Sequence, residues 1–280
     1  MPHKYVKIGK GNILMKKILL TGVNGFVGNK IKNMYPEEIV EAPSLRNATE
    51  DDVKRIVVTS NADVIVHTAA VSDIAACQKD ADTSYYANVL LPVYLAKAAE
   101  GEKLVCFSSD QVYSGSDGDG PYAEEDAKPM NLYAEQKLEM EQRVLDICPD
   151  SVLLRAQWMY NFVSPKGNYF INVLSGQTSF STKQFRGISY VKEVAELIPK
   201  VFAFPGGVYN FGCETDMSIY QITKLFLQFI GSTDKVQDAP ERHNLWMDCS
   251  KAKKLGLEFS DVMVGLENCW RDYEASKFLL

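Results

Sequence analysis

A glycine-rich turn between an apolar strand and a helix constrains this chain more than any other feature. Residues 17–21 read KILLT, a run suited to a short buried strand, and residues 22–28 read GVNGFVG before a helical pattern that continues to Met34. Glycines in this position let backbone N–H groups and the start of the helix approach a phosphate group. The order of strand, turn and helix favours dinucleotide binding. The spacing is GxxGxxG rather than GxGxxG, so an ordinary strand-to-helix turn remains the alternative.

Strands and helices alternate from this turn to about residue 160. Further runs suited to buried strands occur at residues 37–40, 62–67, 104–107 and 152–155, and segments with helical patterns lie between them, one of them at residues 83–99. Such alternation predicts an α/β fold with a doubly wound parallel sheet of the Rossmann type.

The organisation of the chain changes after residue 160. Loops, aromatic residues and shorter elements follow, with helices predicted near residues 191–204, 219–230 and 266–273. We therefore expect an NAD(P)-binding Rossmann domain at residues 15–160 and a smaller substrate-binding lobe at residues 161–280 that can exchange elements with it. Residues 1–14 are basic and lack the apolar core of a signal peptide, so we interpret them as an extension.

Composition limits the partners and the compartment. The chain has 280 residues and a net charge of −6, which disfavours a nucleic-acid footprint. No apolar run approaches the roughly 18 residues that a membrane span requires. The six cysteines are scattered without pairs at metal-binding spacing. We expect a cytoplasmic protein that binds neither nucleic acid nor membrane and holds no metal.

A second informative stretch lies between residues 103 and 137. The strand at 104–107 is followed by Ser108 and Ser109, and Tyr133 and Lys137 stand four apart at a helix start, on one helical face. An ammonium beside a phenol is expected to lower the tyrosine pKa from its usual value of roughly 10, so that proton exchange with a carbonyl or alcohol becomes possible. The Ser109 hydroxyl could bond to the same substrate oxygen. These residues predict a site that moves a proton on a carbonyl group.

The tyrosine–lysine spacing alone is weak evidence for a site. With 14 tyrosines in the chain, about one such pair arises by chance, and Tyr220 and Tyr273 also precede a lysine by four positions. Only Tyr133 follows a strand that ends in paired serines and a turn of the nucleotide-binding kind. We interpret the other two as helix-surface pairs.

The end of the second predicted strand bears on the choice of dinucleotide. An acidic residue there selects the 2′-hydroxyl of NAD, whereas a basic residue accommodates the 2′-phosphate of NADP. Glu41 and Arg46 both lie nearby, and either could equally be a solvated loop charge, so the sequence leaves NAD and NADP open. His67, at the end of the third predicted strand, is interpreted as a packed histidine rather than a catalytic one.

Six ordered segments, between Lys17 and about Gly256, carry a family resemblance. They are ILLTGVNGFVG, DVIVHTAAVSD with YYANV downstream, FSSDQVYSG, PYAEEDAKPMNLYAEQK, LLRAQWMY and MDCSKAKKLG. Together they resemble the extended short-chain dehydrogenase/reductases, and most of all the dTDP-4-dehydrorhamnose reductases.

The resemblance implies reduction of the C4 keto group of a nucleotide-linked 6-deoxy sugar with NADP or NAD, in dTDP-rhamnose biosynthesis. Tyr133 would be the proton donor, Lys137 would tune it and hold the nicotinamide ribose, and Ser109 would supply the hydroxyl. The implied cofactor-binding residues are Gly22, Gly25, Phe26, Val27 and Gly28 at the pyrophosphate, with Ala69 and Ala70 at the adenosine or ribose.

The substrate would be a nucleotide-diphosphate sugar. The resemblance implies that its sugar faces Asp110, Gln111 and Trp158, and we place Ser72 beside them. Arginine suits bidentate contact with phosphate. The cations available to the diphosphate are Lys183, Arg186 and Arg242, with solvated surface charges as the alternative for each.

Two departures from the family pattern leave the sugar and other functions open. Residues 73–78 lack the usual acidic-basic stretch, and the segment after Ile188 lacks the usual proline-threonine. An epimerase or dehydratase is one alternative, although Gln111 cannot take a proton beside Asp110. A non-catalytic NADP-binding regulatory subunit, similar to the β subunit of methionine adenosyltransferase, is another. A homodimer is one option for the assembly, which the sequence does not fix.

Overall fold

A six-stranded parallel sheet lies at the centre of the computed structural model, which describes residues 5–8, 11–14, 16–164 and 167–278. The strands are β1 (Tyr5–Ile8), β2 (Gly11–Leu14), β3 (Ile18–Thr21), β4 (Ile39–Glu41), β5 (Val64–His67), β6 (Lys103–Ser109), β7 (Val152–Ala156), β8 (Trp158–Tyr160), β9 (Ser179–Phe180), β10 (Gln184–Phe185), β11 (Ile188–Tyr190), β12 (Gly207–Phe211), β13 (Gln237–Asp238) and β14 (His243–Asn244).

Helices connect and cover these strands. They are α1 (Phe26–Met34), α2 (Glu50–Ser60), α3 (Ile74–Lys79), α4 (Ala81–Tyr85), α5 (Leu91–Ala98), α6 (Leu132–Ile147), α7 (Tyr169–Leu174), α8 (Val191–Val201), α9 (Ile219–Phe229), α10 (Ser250–Lys254) and α11 (Val262–Ser276). A π-helical turn spans Tyr86–Leu90, and 3₁₀ turns span Asp110–Tyr113 and Glu124–Asp126.

The strand order in the central sheet is β12-β7-β6-β5-β3-β4, and all neighbouring strands run parallel. The chain goes from β3 to β4 on one side and then crosses to β5 on the other side of β3. Open α/β sheets bind ligands outside the carboxyl ends of the strands where the order reverses in this way. The predicted doubly wound parallel fold is confirmed, and its reversal point lies between β3 and β5.

Alternate residues of each central strand pack into different cores. Ile18 and Leu20 belong to a core that includes Ile31 of α1, whereas Leu19 belongs to a core that includes Val53 of α2 and Met140 of α6. Strands that are buried on both faces read as continuous apolar runs, as the sequence does here. Helices therefore cover both faces of the sheet.

The helix predicted at residues 83–99 is interrupted. Its backbone runs through α4, the π-helical turn and α5, with Pro92 near the first position of α5. Proline has no backbone N–H to donate to the carbonyl four residues earlier, so regular α-helical bonding cannot continue through this position. The widened turn contains Asn88, which is fully buried.

The part of the chain after residue 160 contributes to the central sheet as well as to the lobe beside it. β12 pairs with β7 as the last strand of that sheet. β11 pairs in parallel with β8, with Ile188 opposite Trp158, and this pairing holds the segment around Arg186 against the carboxyl end of the sheet. β1 and β2 pair with each other in an antiparallel register. We retain residues 15–160 and 161–280 as proposed units.

Within residues 5–8, 11–14, 16–164 and 167–278, no helix has the length and apolar character needed to cross a membrane. The same residues contain no group of three or more histidine, cysteine or carboxylate side chains placed to hold a metal ion. The six cysteines are free thiols.

Candidate active site

A cavity of about 790 Å³ opens at the carboxyl ends of β3, β5, β6 and β7. Most of the residues predicted for the site line it. They are Gly22, Gly25, Phe26, Val27, Ala69, Ala70, Ser72, Ser109, Asp110, Gln111, Tyr133, Lys137, Trp158 and Arg186. The structure thus brings together residues from four central strand ends, the start of α6 and the segment before β11.

One side of the cavity, which we call the glycine wall, consists of residues 22–27 with Ala69 and Ala70. Gly25 is the N-cap of α1, so no side chain caps the first turn of this helix, and the first turn contains no acidic residue. Unbonded N–H groups at a helix N-terminus, together with the helix dipole, attract anions. The glycine wall can therefore accept a phosphate group without moving a side chain.

Gly22 and Gly28 are required by the shape of this turn. Gly22 has φ +72°, and a Cβ there would lie 2.7 Å from both the Ala69 nitrogen and the Thr68 Oγ1. A Cβ on Gly28 would lie 2.2 Å from the Gly22 carbonyl oxygen. The structure places Gly28 behind the turn, outside the cavity lining, so its effect on a ligand is exerted through the backbone of Gly22.

Ser109, Tyr133 and Lys137 meet between this wall and the rest of the cavity. Asn131 caps α6 by accepting a hydrogen bond from the Ala134 nitrogen, which starts the helix so that Tyr133 and Lys137 share the face toward β6. The Lys137 Nζ donates to the Phe107 carbonyl oxygen at 2.8 Å and lies 5.9 Å from the centroid of the Tyr133 ring. All three side chains are more than nine-tenths buried.

The prediction that Lys137 lowers the pKa of Tyr133 was wrong for this structure. Burial raises the pKa of the Tyr133 phenol above its usual value, a hydrogen bond with Ser109 opposes the rise, and the nearby Asp110 carboxylate adds to it. Lys137 is held by the Phe107 carbonyl, and burial lowers the pKa of its ammonium to about 8. Tyr133 is therefore protonated at neutral pH, which is the form that can donate a proton.

The opposite side of the cavity, which we call the charged wall, consists of Asp110, Gln111, Trp158 and Arg186. An Arg186 Nη2 lies 2.5 Å from an Asp110 oxygen, and the guanidinium carbon lies 5.2 Å from the Trp158 ring centroid. Asp110 is 2% exposed, and its burial raises the pKa of the carboxyl although Arg186 and Ser109 both oppose the rise. This wall offers an aromatic face and a cation whose charge is already paired.

Two cations predicted to face the diphosphate do not line the cavity. The side chain of Arg242 is 79% exposed and lies 3.7 Å from an oxygen of Asp119. Lys183 is also exposed. Both precede β10 or β14 on the outer part of the lobe, where surface charges remain solvated.

The residues considered for dinucleotide selection lie at the edge of the sheet. Glu41 ends β4 and pairs with the Lys32 Nζ at 2.8 Å. Arg46 is exposed. Neither Glu41 nor Arg46 lines the cavity, and the ion pair with Lys32 offsets the charge of Glu41.

Two polar residues of the predicted strands and helices are packed in the interior. His67 is 1% exposed, its Nδ1 lies 2.7 Å from the Thr21 Oγ1, and burial lowers its pKa to about 3, which agrees with the packed interpretation. Asn88 bonds with both backbone groups of Val71 and donates to Gln136 at 2.8 Å. Asn88 thereby connects the loop after β5 to the helix that carries Lys137.

Several cavity residues were not predicted to belong to the site. They are Asn24, Thr68, Phe107, Ser108, Ala156, Gln157, Met159, Ser164, Gly167 and Asn168. Gln157 adjoins Trp158 in a motif already singled out, and its position could have been noticed. Asn168 caps α7 by accepting hydrogen bonds from the nitrogens of Phe170 and Ile171. A helix cap can be predicted from the local sequence, but its position beside the cavity cannot.

The chain is similar to several known proteins. A family model described as the RmlD substrate binding domain matches residues 15–256. The chain is 26% identical over 231 residues to the spore coat polysaccharide biosynthesis protein SpsK of Bacillus subtilis, covering 78% of this chain and 80% of that protein. It is 26% identical over 296 residues to the methionine adenosyltransferase 2 subunit beta of Xenopus tropicalis, covering 91% and 87%.

A solved structure has the same architecture. The dTDP-4-dehydrorhamnose reductase of Bacillus anthracis, determined in complex with NADP, superposes with a TM-score of 0.82 at 22% identity, covering 94% of this chain and 100% of that one. At this identity the likeness shows the fold.

Proposed function

Because this chain belongs to the family of the RmlD substrate binding domain, among the extended short-chain dehydrogenase/reductases, we propose that it reduces the C4 keto group of a nucleotide-linked 6-deoxy sugar with NADPH or NADH. One observation carries the proposal. Ser109, Tyr133 and Lys137 converge in a cavity that has an uncapped helix N-terminus on one side and an aromatic, arginine-bearing wall on the other.

The glycine wall fits the pyrophosphate of a dinucleotide. Its N–H groups have no side-chain partner, and the small side chains of Ala69 and Ala70 leave room beside the sheet. Lys137 would hold the nicotinamide ribose. The bound dinucleotide would supply the hydride. The NADP complex of the Bacillus anthracis reductase supports this assignment.

Tyr133 would donate its phenolic proton to the carbonyl oxygen, which becomes the hydroxyl of the product as the carbon receives the hydride. The raised pKa keeps Tyr133 protonated before the step. Ser109 would hydrogen-bond to the same oxygen and stabilise its developing negative charge. The charged Lys137, present below pH of about 8, would stabilise the phenolate that remains.

The charged wall would bind the substrate. Trp158 would offer an aromatic face to the sugar, with Ser72, Asp110 and Gln111 as polar contacts, and Arg186 would face the diphosphate; all five residues line the cavity. Arg242 and Lys183 lie outside the lining, so they could contact only a part of the ligand that extends beyond the cavity. A cytoplasmic location belongs to the same proposal.

A dehydratase or epimerase reaction fits the geometry less well. It would use the residue after Ser109 as an additional acid or base, but Asp110 is buried in an ion pair with Arg186. The alternative of a regulatory subunit draws support from the methionine adenosyltransferase relative, which covers 91% of this chain. The convergence of Ser109, Tyr133 and Lys137 favours catalysis over that alternative.

The test is the loss of reduced-nicotinamide absorbance with NADPH or NADH in turn and dTDP-4-keto-6-deoxyglucose after its 3,5-epimerisation. We expect oxidation of at least one cofactor by the wild-type chain and a rate lower by about 10²–10⁴ with Tyr133→Phe. If both dinucleotides bind and neither is oxidised with any keto sugar, the reductase proposal fails and the regulatory alternative gains support.

A further inference from the structure

The ion pair between Asp110 and Arg186 spans two parts of the chain and lies inside the cavity. Asp110 follows β6, whereas Arg186 lies between β10 and β11. Their closest atoms are 2.5 Å apart, and the side chains are 2% and 11% exposed respectively. A pair this close and this buried neutralises the charge of the arginine before any ligand arrives.

We propose that Asp110 is a displaceable counter-ion of Arg186, and that binding of the substrate's diphosphate to Arg186 transfers a proton from solvent to the released Asp110 carboxylate. This inference rests on the proposed function, because it takes the ligand to be a nucleotide-diphosphate sugar. The balance is simple: the diphosphate replaces the carboxylate as the anion at the guanidinium, and carboxylate plus one proton becomes carboxylic acid.

Arg186 is incompletely bonded by its present partner. The ion pair uses Nη2, while Nε is buried and has no hydrogen-bond partner within the described ranges 5–8, 11–14, 16–164 and 167–278. Phosphate oxygens can occupy two N–H groups of a guanidinium at once, which a carboxylate held by one oxygen does not do. Trp158 supports the guanidinium from one face and leaves its edge to the ligand.

Few other cations could receive the diphosphate inside the cavity. In the described lining, the cationic side chains are Lys137 and Arg186. Lys137 is bonded to the Phe107 carbonyl beside Tyr133. An anionic ligand that enters along the charged wall therefore meets Arg186 and has to compete with Asp110 for it.

The groups around Asp110 cannot replace the lost charge. Ser109 lies 3.2 Å from one carboxylate oxygen, Tyr133 faces it from α6, and His243 faces it from β14. Burial and the charge of Arg186 lower the pKa of His243, so it is neutral at neutral pH. Without Arg186, only neutral groups face a buried carboxylate, a condition that strongly favours protonation.

This exchange has a consequence for Tyr133. The negative charge of Asp110 contributes to the raised pKa of the Tyr133 phenol. When Asp110 takes up a proton, that contribution disappears and Tyr133 becomes a stronger acid. Substrate binding and the proton donor are thereby coupled through Asp110, which follows β6 and acts on Tyr133 of α6.

Calorimetric titration of the full chain with dTDP-glucose measures this uptake. The phosphates of this probe do not titrate near neutral pH, so any proton exchange belongs to the protein. Titrations at one pH in two buffers with different ionisation enthalpies should show uptake of about one proton for each ligand bound. The association constant should fall by up to about tenfold for each pH unit above neutrality.

Three variants separate the role of Asp110 in proton uptake from the role of Arg186 in ligand affinity. Asp110→Asn should bind dTDP-glucose without proton uptake and with little pH dependence, whereas Arg186→Gln should lose at least about tenfold in affinity. Asp119→Asn is the matched control, because Asp119 is a 95% exposed carboxylate beside another arginine. It should keep the wild-type uptake.

Binding of dTDP-glucose without proton uptake, or equal uptake by wild type and Asp110→Asn, would overturn the inference. So would the absence of binding by dTDP-glucose, UDP-glucose and GDP-mannose alike. Proton-linked binding without any reduction of keto sugars would leave the inference standing while the reductase proposal fails. Reduction of a keto sugar without proton uptake on binding of dTDP-glucose would overturn the inference and leave the reductase proposal standing.

Discussion

The two sides of the cavity prepare for a ligand in opposite ways. The glycine wall presents main-chain donors from one short segment, and these donors have no side-chain partner in the described structure. The charged wall is assembled from segments around residues 110, 158 and 186, and its two charges are bonded to each other. The glycine wall can bind an anion directly, whereas Arg186 in the charged wall has to exchange Asp110 for the ligand. Binding at the second wall should therefore depend on pH through Asp110, whereas the main-chain donors of the first wall do not titrate.

The largest expected effect comes from Tyr133, which lies between the two walls. Its substitution should not alter ligand binding at either wall. Tyr133→Phe removes the proposed proton donor, so we expect the rate of reduction to fall by about 10²–10⁴. The affinities for dinucleotide and for dTDP-glucose should stay near wild type, because the ring and its packing remain. Steady-state rates and fluorescence titration of the dinucleotide measure the two quantities. Tyr220→Phe is the control and should leave both unchanged, because Tyr220 has the same spacing to a lysine but lies outside the cavity, partly buried against the core.

The glycine wall can be broken by a single methyl group. In Gly22→Ala the new Cβ meets the Ala69 backbone at 2.7 Å in a left-handed conformation. That conformation alone costs about 1–2 kcal/mol. Dinucleotide affinity should fall at least about tenfold, with a smaller loss for dTDP-glucose. Gly101→Ala is the control, since a Cβ there meets nothing within 4 Å. Equal losses for both ligands would contradict the separation of the walls.

Trp158 tests the charged wall. Trp158→Ala removes the ring that supports the Arg186 guanidinium, and such contacts contribute about 0.5–2 kcal/mol. We expect the affinity for dTDP-glucose to drop by about three- to thirtyfold, with dinucleotide affinity unchanged. Trp158→Phe keeps an aromatic face and should recover part of the loss. A larger effect on the dinucleotide than on dTDP-glucose would show that Trp158 belongs to the other ligand.

The smallest expected effect is the pH dependence of dinucleotide affinity through Lys137, which lies between the two walls. Burial lowers the pKa of Lys137 to about 8, so its positive charge is present below that pH and is lost as pH rises through it. Dinucleotide affinity should weaken severalfold above pH 8 if the ammonium holds the ribose. Lys137→Met should bind more weakly at neutral pH and lose this dependence. An unchanged affinity in that variant would exclude the ribose role.

Much of the glycine wall was predictable because the strand at 18–21, the turn and α1 adjoin in the sequence. The other strands of the sheet were predictable as well. Those expected near residues 37–40, 62–67, 104–107 and 152–155 all form. The convergence of Ser109 with Tyr133 was also foreseeable, since a strand end and the next helix start meet at the same edge of a parallel sheet.

Other features escaped the sequence because they depend on distant groups. The π-helical turn at Tyr86–Leu90 combines Pro92 with the buried bonds of Asn88 to Val71 and Gln136. The raised pKa of Tyr133 follows from burial, which outweighs any effect of Lys137. Arg242 and Lys183 resembled Arg186 in the sequence, yet only Arg186 lines the cavity.

The sequence by itself determined the parallel doubly wound sheet, the open helix N-terminus after β3 and the three residues, Ser109, Tyr133 and Lys137, that meet in the cavity. These follow from apolar periodicity, glycine and helical spacing, which act over a few residues. Only the tertiary structure decided which arginine enters the cavity and that it arrives paired with Asp110. The pairing of β11 with β8 sets that geometry, and burial of charge depends on every segment that surrounds it.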